Sequence, residues 1–67
     1  MDLKELYTKL SYYDKSIRTN NATISRLKKK QHLSPEETHL LRSLYDANAS
    51  LENSRQETKA QLGRAHV

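Results

Sequence analysis

The stretch "LSPEE", residues 33–37, is where the chain punctuates itself, and its reading decides the fold. Ser34 is a good helix N-cap, and Pro35 suits the first helical position, whose N–H has no intrahelical acceptor in any case. Glu37 stands three residues past Ser34 and completes a capping box. Glu36 and Glu37 also meet the positive end of the helix dipole. Just upstream, Lys28, Lys29, Lys30 and His32 stand where a preceding helix would end, beside its negative end. Asp2 and Glu5 repeat the box pattern at the start of the chain, and Gly63 is a natural stop for the second helix. The reading is therefore helix 1 at about 3–31, a turn at about 32–34, helix 2 at about 35–62 and a short C-terminal tail.

Both sides of the turn carry a coiled-coil repeat. Leu3, Leu10, Ile17 and Ile24 occupy the a positions of helix 1, and Leu6, Tyr13, Asn20 and Leu27 the d positions. Helix 2 continues with Leu41, Leu44, Asn48, Leu51, Arg55, Thr58 and Leu62, a seam that is mostly polar after Leu51. Folding the chain at Ser34 sets Leu27 opposite Leu41, Ile24 opposite Leu44, Ile17 opposite Leu51 and Leu6 opposite Leu62. Asn20 then falls opposite Asn48. A buried amide stabilises little but penalises a slipped register, where it loses its partner. Tyr13 falls opposite Arg55, a pairing that predicts a cation–π contact. The fold class is all-α, an antiparallel two-helix hairpin.

Composition limits what such a hairpin can do alone. The chain has 67 residues, 34% of them hydrophobic, with no Trp, Phe or Cys and a single Gly and Pro. It is short for a self-sufficient core and has neither a disulfide framework nor a thiolate metal site to staple it. Outside the seam, Leu40 and Ala47 flank helix 2, Tyr7 flanks helix 1, and Tyr12 and Tyr45 lie further round. Small residues at Ala47 and Ser54 would let another helix approach closely. The expectation is self-association as a dimeric four-helix bundle, or a groove in another protein that accepts one helix. No apolar run approaches the roughly 20 residues of a membrane span. The opening "MDLKELYTKL" is unlike a signal peptide, so a cytoplasmic protein is expected.

Catalytic chemistry is not suggested. His32, His39 and His66 do not combine at ligand spacing, which argues against a metal site or cofactor. No glycine-rich phosphate loop or Ser/His/Asp grouping is present, and no catalytic residues are assigned. Charge is the remaining signal. Residues 1–34 hold eight Lys/Arg and three Asp/Glu, a net +5, whereas residues 35–67 hold four and five, a net −1. The cluster "RLKKK", with Arg26, Lys28, Lys29 and Lys30, forms a possible basic patch for phosphates or an acidic protein. No aromatic residues are interleaved with it, so it lacks a stacking platform.

With the hairpin in view, the chain resembles the small E-type co-chaperones of type III secretion systems. The likeness lies in its length, its two-helix design, "RLKKK" at 26–30 and "ASLENS" at 49–54. That family usually has a glycine-rich turn where this chain has "LSPEE". The resemblance implies a larger tetratricopeptide-like partner and a role in keeping the needle subunit soluble and unpolymerised. It further implies that the first helix supplies the contact, here Leu3, Leu6, Tyr7, Leu10 and Tyr13. A second stretch, "SLYDANASLENS" at 43–54, is similar to the plasmid-encoded RNA-binding repressor of primer, an antiparallel four-helix dimer. That resemblance implies an RNA face on helix 1, with Lys9, Tyr12 and Arg18 as counterparts in residue type. A structural or regulatory coiled coil of another system, such as a phage protein, is the third reading.

Overall fold

The computed structural model describes residues 2–65, the side chain of Ala65 excepted; His66 lies outside them. Two helices, α1 (Leu3–Lys28) and α2 (Pro35–Ala65), pack antiparallel into a hairpin, with no strand among the described residues. At 1.5 Å per residue the 26 and 31 residues account for a molecule of 51 × 14 × 13 Å.

The caps form as the sequence dictates. Asp2 accepts a 3.3 Å hydrogen bond from the Lys4 N–H, and its carbonyl accepts from the Leu6 N–H at 3.2 Å. At the start of α2 the capping box closes in both directions. The Glu37 N–H donates to Ser34 Oγ at 3.1 Å, and the Ser34 N–H donates to Glu37 Oε1 at 2.9 Å. Two of the N–H groups that a helix start leaves without partners are thereby satisfied.

Two boundaries differ from the sequence reading. Helix α1 stops at Lys28 rather than near 31. Leu27 is its last buried residue, and no seam position beyond it rewards another turn. The Lys30 N–H tightens onto the Leu27 carbonyl at 3.1 Å, and the Lys30 side chain bonds Glu37 across the connection. Residues 29–34 reverse the chain without any positive-φ residue, so this turn has no need of glycine. At the other end Gly63 does not stop α2. Its φ is not positive, so the left-handed C-cap is never formed. Leu62, only 8% exposed, holds the last turns against α1 and carries the helix past the glycine to Ala65.

The core is narrow. Leu6, Ile24, Leu27 and Leu62 are buried, joined by Thr58, whose hydroxyl donates to the Ser54 carbonyl at 2.9 Å. Leu10, Ile17, Leu41, Leu44 and Leu51 stay half-buried, because two helices cover a seam from one side only. Leu3 is exposed: its layer in α2 falls at residue 65, where the helix ends.

Candidate functional site

The two flanks of the seam are chemically different, and the heptad explains why. One flank is closed by polar bonds. Asn20 Nδ2 donates to Asn48 Oδ1 at 2.9 Å, the pairing that the folded heptad predicts. Asn48 Nδ2 in turn donates to Asn21 Oδ1 at 2.9 Å, so three amides share the layer. Further from the turn, Arg55 Nε donates to Asp14 Oδ1 at 2.7 Å, with Glu52 3.8 Å from Nη1. The guanidinium expected under Tyr13 thus goes to a carboxylate instead, and the Tyr13 ring meets Tyr12 edge-on at 5.7 Å. A charge-assisted hydrogen bond outweighs a half-exposed cation–π contact. Sequence reasoning assigned no role to Asn21 or Asp14. Both sit one position beyond a d residue, where a helix in contact reaches round, and placing those positions opposite α2 is the signal that finds them.

The other flank is open. Thr23, Arg26 and Leu27 of α1, Lys30 of the connection and Leu40 of α2 line a groove of about 280 Å³. Ser16, Thr23, Ala47 and Ser54 continue this side at the same heptad position, all of them small. Arg26 Nη2 donates to Thr23 Oγ1 at 3.3 Å along the groove wall. Lys30 pairs with Glu37 at its end. The Lys30 ammonium and the Ser34 N–H together hold the Glu37 carboxyl below the ordinary glutamate range.

The residues singled out in the sequence divide by exposure. Of the proposed partner contacts, Leu6 is 2% exposed and belongs to the hairpin core, and Leu10 and Tyr13 are half-buried. Leu3 (39% exposed) and Tyr7 (54%) are open to solvent. In the basic patch Arg26, Lys28 and Lys29 are exposed, while Lys30 is engaged with Glu37. Lys9, Tyr12 and Arg18 are all exposed on α1. Among the described residues no group of three His, Cys, Asp or Glu side chains could hold a metal ion. No helix of the described residues is long and apolar enough to cross a membrane.

No family model matches the sequence, and neither a curated protein nor a solved structure matches it.

Proposed function

We propose that this chain is a protein-binding helical hairpin, a cytoplasmic co-chaperone that acts with a tetratricopeptide-like partner to keep the needle subunit of a type III secretion system unpolymerised. Its role is binding, not catalysis. One observation carries the binding half of this reading: among the described residues Leu3, Tyr7, Tyr12, Leu40 and Tyr45 stay exposed around a core of four buried apolar side chains. Leu3 and Tyr7, one turn apart on α1, offer an apolar edge on which a helix of a partner can pack. The choice of partner rests on the resemblance in "RLKKK" and "ASLENS". Tyr7 and Leu3 offer the accessible part of the α1 contact, with Leu10 and Tyr13 at its margin. The same incomplete burial drives self-association when no partner is present.

Co-purification of the full chain from its native host tests the reading. A tetratricopeptide-type protein and a needle subunit should appear by mass spectrometry, and Leu3→Ala with Tyr7→Ala should remove them while the circular dichroism stays helical. Lys28→Gln with Lys29→Gln should leave the complex intact. Co-purifying RNA lost with the lysines, and insensitive to Leu3 and Tyr7, would transfer the assignment to the RNA-binding reading.

A further inference from the structure

We propose that the flank carrying Leu40 docks a second copy of this chain, the two hairpins related by a twofold axis along their length, so that α1 of each lies on α2 of the other. This deepens the self-association half of the proposed function by naming its face and its symmetry.

Three observations on this flank converge. The first is its charge pattern. Its middle, away from the groove, carries small, uncharged positions such as Ser16, Ala47 and Ser54, so a second helix approaches that stretch without desolvating a charge. Charges gather at the two ends. With Asn20 set opposite Asn48, as the amide bond fixes them, Glu5 and Arg64 fall within one residue of the same level. Near the turn, Lys30 and Glu36 fall within two residues of each other. An axis along the hairpin keeps every level and exchanges the helices, so Glu5 meets Arg64 of the second copy and Lys30 meets Glu36 of it. An axis across the hairpin instead stacks α1 on α1. That axis also sets opposite charges together, Glu5 with Lys30 and Glu36 with Arg64 of the second copy, so the end charges fit either axis and the groove chooses between them.

The second is the groove. Leu40, 43% exposed, stands beside a groove of about 280 Å³ walled by Thr23, Arg26, Leu27 and Lys30. The lengthwise twofold carries Leu40 of each copy to the level of the other's groove, so one residue supplies both knob and wall, the reciprocity of an isologous interface. The crosswise twofold sends Leu40 toward Gln61, leaving it wet.

The third is size. A 51 by 14 Å face projects roughly 700 Å², close to the ~800 Å² per partner of a standard stable interface.

The protein has no cysteine, so single introduced thiols report the face directly. Purified full-length chain should sediment as a dimer. Leu40→Glu, at an exposed helical position, should weaken that dimer by about tenfold or more with helicity unchanged, whereas Tyr45→Glu on the opposite flank should change it by less than about twofold. A short bifunctional thiol reagent should join Leu40→Cys of the two copies, which stand diagonally across the axis beyond direct disulfide reach, and should not join Tyr45→Cys. Glu5→Arg and Arg64→Glu should each weaken the dimer and restore it in combination. A dimer that links through Tyr45→Cys and ignores Leu40→Glu overturns this face while leaving self-association standing. A wild-type chain that stays monomeric at hundreds of micromolar overturns both.

Discussion

Asn48 accepts a hydrogen bond from Asn20 and donates one to Asn21, so its side chain fastens α2 to two successive residues of α1. Replacing it alone strands the part-buried Asn20 amide. Asn48→Leu should therefore cost about 1–3 kcal/mol, the usual penalty for an orphaned polar group. Asn20→Leu with Asn48→Leu should recover most of that loss or exceed the wild type, since the exposed Asn21 turns to water and apolar area replaces the amide pair. Denaturant titration of the cycle checks this; independent, additive effects would mean that the amides do not share an energy. The Asn20–Asn48 pair was legible because a heptad fixes which layers meet. The heptad is silent on which way a side chain leans from its layer. That is why Asn21 went unassigned and why Arg55 reaches Asp14 rather than the Tyr13 ring. At that half-exposed pair Asp14→Ala should cost under about 1 kcal/mol.

At the level of the helices, the start of α2 was legible and the two helix ends were not, for one physical reason. An N-terminus is specified locally, by side chains that bond the free N–H groups within one turn. An end depends on where tertiary packing stops rewarding helical geometry. Leu27 sets it early in α1, and Leu62 sets it late in α2, past a glycine that local rules read as a stop. Two predictions belong here. Gly63 sits in helical geometry with nothing within 4 Å of a Cβ built on it. Gly63→Ala should then raise stability by about 0.5–1 kcal/mol, seen as a higher thermal midpoint. The second concerns acid. The Glu37 carboxyl is held low by Lys30 and by the Ser34 N–H, so its contribution is present above the unfolded glutamate value near pH ~4.3 and fades as pH falls through the lower folded value. In an NMR titration Lys30→Gln should raise the Glu37 midpoint toward the ordinary range, whereas Ser34→Ala, which keeps the Ser34 N–H, should raise it much less. Ser34→Ala should also cost about 1 kcal/mol as a lost cap.

For the whole molecule, the governing fact is that a two-helix seam is covered from one side. Apolar burial stabilises in proportion to area removed from water. Here Leu10, Ile17, Leu41, Leu44 and Leu51 realise only part of theirs, and Leu40 and three tyrosines realise less. A second layer of helices on the Leu40 flank recovers part of that area, so folding and association are coupled. Coupling of that kind has a measurable signature, because anything that binds the folded state raises its stability by mass action. The thermal midpoint should therefore rise steadily with protein concentration across a hundredfold range, from about 2 to about 200 micromolar. Leu40→Glu should flatten that dependence while leaving the dilute-limit midpoint nearly unchanged, since Leu40 takes little part in the hairpin's own core. Loss of a seam residue such as Ile24→Ala should do the opposite, lowering the midpoint by a similar amount at every concentration through a cavity of about 2–5 kcal/mol. The midpoint of the wild type staying constant over that range would show that the hairpin satisfies itself and that Leu40 serves no second copy.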